Sequence, residues 1–148
     1  DCLLYVCYYI IMVRVLDKKK INSLIANGRS SIKDLQKLLN QLNIPNFKII
    51  RKHELTKAIH DGYQNIILNL DDTGSGTHWV ALNTVKNRYF DSFGQPPPIV
   101  VPKRFKDKND FEIQGINREY CGQYCALWLF CINHANEDYF YKLFKDII

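Results

Sequence analysis

Near the carboxyl-terminal end of the chain, the residues from Tyr124 to Ile132 are all apolar. This run predicts a strongly apolar, buried helix of about a dozen residues. A second helix is expected at residues 139–148. The rest of the chain must therefore supply the elements that surround the buried helix.

The 148 residues are enough for one domain of this kind. Hydrophobic residues make up 47% of the chain and charged residues 24%, close to the average of soluble globular proteins. A chain of this length buries roughly two-thirds of its unfolded surface on folding. The composition excludes a disordered chain, a collagen-like repeat and a multi-span membrane protein, and we predict a single domain over residues 1–148.

Upstream of the apolar run, helical and strand-like patterns alternate. Ser31, Asp34 and the leucines that follow at helical spacing predict a capped amphipathic helix. Pro45 ends it. The predicted elements are helices at 31–42 and 54–60 and strands at 47–50, 65–70, 77–85 and 89–91, the last two paired as a hairpin through Asn87-Arg88. This pattern predicts the α+β class, with a central mixed or antiparallel sheet packed by helices.

Residues 2–16 form another almost unbroken apolar run, which three lysines at 18–20 follow. A membrane-spanning helix needs about 20 apolar residues, so this run is short for a span. No basic segment precedes it, which argues against a secretory signal. We expect a buried strand or helix here, and a short membrane anchor is the alternative.

The net charge of +5 is carried in part by an irregular loop after Gly94. Three consecutive prolines at 96–98 exclude a helix or a central strand there. The basic side chains of this loop are candidates for a nucleic-acid contact, and a solubilising surface is the alternative. They are Lys103, Arg104, Lys106 and Lys108.

The cysteines are odd in number and irregular in spacing. They are Cys2, Cys7, Cys121, Cys125 and Cys131. This pattern does not match the disulfide framework of a small secreted protein, so it favours a reducing compartment, where a thiol is available for chemistry.

Cys121 is the candidate nucleophile because it stands where a polar stretch meets the start of the apolar helix. The unpaired amides and the dipole at a helix start favour a thiolate. Gly122 leaves room for a substrate backbone. A buried structural cysteine is the alternative.

His78 is the candidate base because it opens a strand directly after a glycine-rich turn, where it can be held at the edge of a cleft. His53 and His60 lie in a polar helical segment and are expected at the surface. His134 lies roughly 20 Å along the helix from Cys121, too far to act as its base or to share a zinc ion with it.

Asp91 ends the strand that should pair with the strand of His78. If the hairpin closes as predicted, both residues lie at the same end of adjacent strands, where a carboxylate can orient an imidazole. Gln114 offers a side-chain amide to a developing oxyanion, together with the backbone N–H of Cys121.

The ordered segments 76–82 (GTHWVAL), 89–94 (YFDSFG), Gln114 and 120–125 (YCGQYC) resemble the His, Asp, Gln and Cys blocks of the adenovirus maturation protease family. That family shares a clan with the SUMO-specific proteases. Papain-like enzymes have the cysteine before the histidine, so chain order separates the two groups. The resemblance covers residues 64–134 and implies the cysteine protease fold of this clan.

The resemblance implies Cys121 as nucleophile, His78 as general base and acid, and Asp91 as the residue that orients His78. Gln114 and the Cys121 amide would form the oxyanion hole. Gly76, Trp79 and Gly122 would lie beside the substrate. The implied activity is that of a cysteine endopeptidase that processes viral capsid or polyprotein precursors after glycine in small-residue motifs.

Two features favour the viral branch of the clan, including virophages and virus-like transposons. Tyr120 stands where SUMO-type enzymes usually carry Asp, and Ile, Asn, Lys and Tyr are used heavily. The expected location is a reducing compartment of a host cell (cytoplasm or virus factory) or the virion. The alternatives are a protease that deconjugates ubiquitin-like proteins and a catalytically silent binding or assembly module.

The chemistry requires no cofactor or metal. A disulfide-linked peptide activator is doubtful because no cysteine lies between Asp91 and Cys121. DNA remains a candidate activator through the basic loop. We expect protein substrates and no membrane partner.

Overall fold

The computed structural model describes residues 31–71, 78–108 and 120–145, without the side chains of residues 144 and 145. The apolar run at 2–16, Gly76, Gln114, Cys2 and Cys7 lie outside the described residues. In chain order the elements are α1 (Ile32–Gln41), β1 (Phe47–Arg51), a 3₁₀ turn (Lys52–Glu54), α2 (Leu55–His60), β2 (Asn65–Asn69), β3 (Trp79–Asn83), β4 (Arg88–Phe90), α3 (Cys121–His134) and α4 (Glu137–Lys145).

The four strands form one mixed sheet in the order β1-β2-β3-β4. Strands β1 and β2 are parallel, and the other two pairs are antiparallel. The predicted α+β class with a mixed sheet is therefore confirmed. The predicted pairing of β3 with β4 is confirmed, but the turn was predicted at Asn87-Arg88 and lies at residues 84–87, so that Arg88 already lies in β4, where it pairs with Asn83. Asn87 has a φ of 53°, a left-handed conformation that asparagine tolerates.

Strands β2 and β3 are buried along their whole length because both faces of the sheet are covered. Ile67 and Ala81 point into one core with α1, α3 and α4. Leu68 and Val80 point into a second core with α2 and the loop after β4. The alternation of side chains along a strand thus divides one sheet between two apolar clusters.

Helix α3 lies at the centre of the larger core. Its residues 121–132 are all buried, including Trp128 and Leu129 at 0% exposure. The prediction of a strongly apolar, buried helix that begins at Cys121 is confirmed.

Helix α1 begins at the predicted cap. The Ser31 hydroxyl accepts from the Asp34 amide at 3.1 Å, and the Asp34 carboxylate accepts from the Ser31 amide at 3.0 Å. This reciprocal pair satisfies two amides that the first helical turn leaves unbonded. The opposite side of α1 buries Leu35 and Leu39 against α3.

The basic loop after β4 is anchored by its backbone. The Tyr89 amide donates to the Lys106 carbonyl at 2.8 Å, and the Lys106 amide donates to the Asn87 carbonyl at 3.0 Å. The side chains of Lys103, Arg104, Lys106 and Lys108 are exposed. Their role in binding nucleic acid stays a prediction.

Within residues 31–71, 78–108 and 120–145, no helix combines the length and the apolar character that crossing a membrane requires.

The buried position of α3 predicts a large cost for truncating its core side chains. We expect Leu129→Ala to lower the free energy of unfolding by about 2–5 kcal/mol, because it removes a fully buried side chain and leaves a cavity. Ile32→Ala, at a residue that is 43% exposed on α1, is the control and should cost less than about 1 kcal/mol. Urea titration of the two variants measures the difference, and equal costs would contradict this account of the core.

Candidate active site

His78 and Asp91 meet at one end of the β3-β4 hairpin. His78 directly precedes β3 and Asp91 directly follows β4, and antiparallel pairing brings these two positions together. The His78 Nε2 atom lies 2.8 Å from the Asp91 Oδ1 atom. The side chains are 15% and 3% exposed, so the pair is largely shielded from water. The structure confirms the predicted proximity of His78 and Asp91.

Asp91 is held in place by the turn that follows it. Its Oδ1 atom also accepts a hydrogen bond from the Phe93 amide at 2.8 Å, and its carbonyl accepts from the Gly94 amide at 3.0 Å. Gly94 has a φ of 70°, a conformation that costs glycine little. These two contacts hold the carboxylate independently of its hydrogen bond to His78.

Cys121 lies against the backbone next to His78. It is the first residue of α3 and is 3% exposed. Its sulfur accepts a hydrogen bond from the Trp79 amide at 3.4 Å. Because Trp79 follows His78 directly, this contact places the candidate nucleophile beside the chain segment that carries the candidate base.

The Trp79 backbone is available for this contact because β3 extends past the end of β4. The last paired residue of β4 is Phe90, which faces Ala81. Trp79 lies two residues beyond Ala81, where β4 has ended. On that side its amide and its carbonyl form hydrogen bonds with two sulfurs of α3 and not with a strand. The Cys125 thiol donates to the Trp79 carbonyl at 3.4 Å. One turn of helix thus completes the hydrogen bonding at this edge of the sheet.

The environment of His78 favours its charged form. Burial lowers the pKa of the imidazole, but the hydrogen bond to Asp91 and the interaction with the Cys121 sulfur outweigh burial and raise the pKa to about 9. Asp91 occupies Nε2, and Nδ1 is a buried atom with no hydrogen bond of ordinary length. Nδ1 is therefore the nitrogen that is left to exchange a proton with Cys121.

The other described cysteines are poor nucleophiles. Burial, together with electrostatic interactions with Cys121 and Asp91, raises the pKa of Cys125 well above its usual value. Burial alone raises the pKa of Cys131. Both side chains therefore remain thiols at neutral pH. Cys121, Cys125 and Cys131 form no disulfide.

The structure separates the remaining histidines from this site. His134 lies at the far end of α3, where its Nε2 atom is 3.1 Å from the Asn43 carbonyl. His53 and His60 are exposed, as predicted.

The residues predicted to lie beside the substrate are described only in part. Trp79 is 6% exposed and packs in the larger core, so its link to Cys121 runs through the backbone. Gly122 is buried in the first turn of α3. The roles that the resemblance implies for Trp79, Gly122, Gly76 and Gln114 stay predictions.

Sequence reasoning missed the contribution of Phe93. Its ring stacks on the His78 imidazole with centroids 4.0 Å apart and an angle of 11° between the planes. An aspartate followed two residues later by the amide that it accepts from is a common turn, so the hydrogen bond was foreseeable. No local pattern indicates which ring the phenylalanine would cover.

Among the described residues, no group of three or more His, Cys, Asp or Glu side chains is arranged to hold a metal ion. Searches with this chain against protein-family models, curated proteins and solved structures found no match.

The raised pKa of His78 predicts a stability that depends on pH. The folded pKa of about 9 exceeds the ordinary value of 6.5, so protonated His78 stabilises the fold. This contribution is complete below about pH 6.5 and is lost as the pH rises through about 9. We expect Asp91→Asn to lower the free energy of unfolding by about 1–3 kcal/mol at pH 6, and by much less at pH 10.

Urea titrations at both pH values measure this cost. The control is the same Asp91→Asn change in a His78→Ala background, where the cost should not depend on pH between 6 and 10. A cost of equal size at both pH values in the wild-type background would contradict the assignment.

Proposed function

We propose that this chain is a cysteine endopeptidase with Cys121 as its nucleophile. The observation that carries the proposal is the environment of His78. Its Nε2 atom is hydrogen-bonded to Asp91, and interactions with Asp91 and Cys121 raise its pKa to about 9. A buried imidazolium next to a buried thiol is the arrangement that activates cysteine for attack. A structural cysteine in the core of a catalytically silent protein needs neither His78 nor Asp91.

In the proposed reaction, the Cys121 sulfur attacks a peptide carbonyl as a thiolate, and His78 carries the proton that the thiol has lost. The C–N bond then breaks, and the imidazolium gives its proton to the leaving amine. Neutral His78 next takes a proton from water, whose oxygen attacks the thioester. The C–S bond then breaks and releases the carboxylic acid and the Cys121 thiolate, while His78 keeps the proton that it took from water, so protons and bonds balance over the cycle.

The start of α3 supports the charges that form in this reaction. Its first-turn amides and its dipole favour negative charge at Cys121. The same amides suit an oxyanion hole, in which the Cys121 amide would act with the side chain of Gln114. The part given to Gln114 rests on the resemblance of the sequence to the adenovirus maturation protease family.

The same resemblance suggests the substrates. We propose precursors of viral capsid proteins or polyproteins, cut after glycine in small-residue motifs, in a reducing compartment of a host cell or in the virion. The exposed basic residues Lys103, Arg104, Lys106 and Lys108 suit DNA as an activator. A protease that removes ubiquitin-like proteins from their conjugates would use the same site. The substrates that are cut distinguish the two functions.

We expect Cys121→Ala to abolish peptide cleavage without loss of folding, because the sulfur is the group that bonds to the substrate. The measurement is the profile of peptides cut from a library and from capsid-type precursors, beside SUMO and ubiquitin conjugates. Cys131→Ala, on the same helix and equally buried, is the matched control and should keep its activity. Cleavage by Cys121→Ala would move the nucleophile to Cys125, and wild-type cleavage of the conjugates alone would favour deconjugation.

The proposed acid predicts the alkaline limit of the activity. Because His78 must be protonated to release the amine and has a pKa of about 9, we expect kcat/KM for peptide substrates to fall as the pH rises through about 9. Steady-state rates from pH 6 to 10.5 measure this limit. A rate that still increases above pH 10 would show that another group supplies the proton.

A further inference from the structure

The ring of Phe93 covers one face of the His78 imidazole. The two rings are nearly parallel, 11° apart, with centroids separated by 4.0 Å. His78 keeps 15% of its side-chain surface exposed. Phe93 therefore shields the imidazole on a face that none of its hydrogen bonds protects.

Phe93 also acts on the acceptor of His78. Its amide donates to the same Asp91 oxygen that lies 2.8 Å from the His78 Nε2 atom. The side chain of Phe93 thus contacts the imidazole while its backbone fixes the carboxylate. One residue sets the position of both members of the pair.

These two contacts restrict different motions. A single hydrogen bond in the plane of the ring fixes the direction of Nε2, but it leaves the imidazole free to tilt about the axis through that bond. A flat ring stacked on the face removes the tilt. The direction of Nδ1, the nitrogen that is left for Cys121, is then determined as well.

We propose that Phe93 is a positioning residue that holds the His78 imidazole in the plane in which Nδ1 faces Cys121. The inference rests on the proposed function, because it assigns Phe93 to the same site. The electron-rich face of the phenyl ring also favours a cation stacked on it. Phe93 therefore acts on the orientation of His78 and on its charge.

The test compares Phe93→Leu with Phe93→Tyr. Leucine keeps an apolar side chain and the backbone donor to Asp91 but has no flat ring, whereas tyrosine keeps the ring. We expect Phe93→Leu to lower kcat by about tenfold with little change in KM, because a misaligned imidazole slows chemistry more than binding. Phe93→Tyr should restore most of the rate.

A second measurement follows the imidazole directly. In NMR titrations of His78, we expect a lower midpoint for Phe93→Leu than for the wild type, because a misaligned imidazole interacts less well with Asp91 and Cys121, and an unchanged midpoint for Phe93→Tyr. Asp91 and Cys121, whose interactions raise the pKa of His78, are unchanged in all the proteins. Phe105→Leu, in the other core, is the control for a merely destabilised fold and should leave the midpoint in place.

The outcomes distinguish this inference from the proposed function. If wild-type protein cuts peptides but Phe93→Leu matches it in kcat and in the His78 midpoint, the inference is wrong and the function stands. If Phe105→Leu changes the midpoint as much as Phe93→Leu, a general loss of packing explains the effect and the inference fails. If wild-type protein neither cuts peptides nor shows preferential alkylation of Cys121, the proposed function fails, and the inference that depends on it fails with it.

Discussion

The site depends on one edge of the sheet, where β3 extends past β4 and the backbone of Trp79 bonds to two sulfurs of α3. The Trp79 amide donates to Cys121 and its carbonyl accepts from Cys125. An unpaired backbone group in a core is costly, so these two hydrogen bonds fix the position of the start of α3 along β3. That position places Cys121 beside the residue that precedes Trp79, which is His78.

Two neighbours of His78, Asp91 and Cys121, then set the charge of its imidazole. A buried imidazole alone would stay neutral, because burial penalises its charge. Asp91 and Cys121 reverse that preference for His78, while Cys125 and Cys131, without a cationic partner, stay protonated. The three described sulfurs of one helix therefore differ in their surroundings, and only that of Cys121 interacts with His78.

Much of the scaffold could be predicted because it rests on local patterns. The capped helix at 31–42, the short strands and the hairpin follow from residue periods and turn residues, which act over a few positions. The start of α4 was less predictable. It begins at Glu137, ahead of the predicted residue 139, because the Asn136 side chain accepts from the Tyr139 amide at 2.8 Å. Such ends depend on single hydrogen bonds.

The order of residue types along the chain was enough to predict Cys121, His78 and Asp91 as candidates, since these residue types stand at the ends of predicted elements, and the structure brings the three together. The stacking of Phe93 on His78 and the bonding of Cys125 to Trp79 were not recognisable in that way. Both join residues that share no local period, Phe93 to a ring 15 positions earlier and Cys125 to a strand 46 positions earlier. Packing of α3 against the sheet creates the contact of Cys125, and the end of the β3-β4 hairpin creates the contact of Phe93. Only the folded chain brings these groups within bonding distance and removes the water that would otherwise satisfy them.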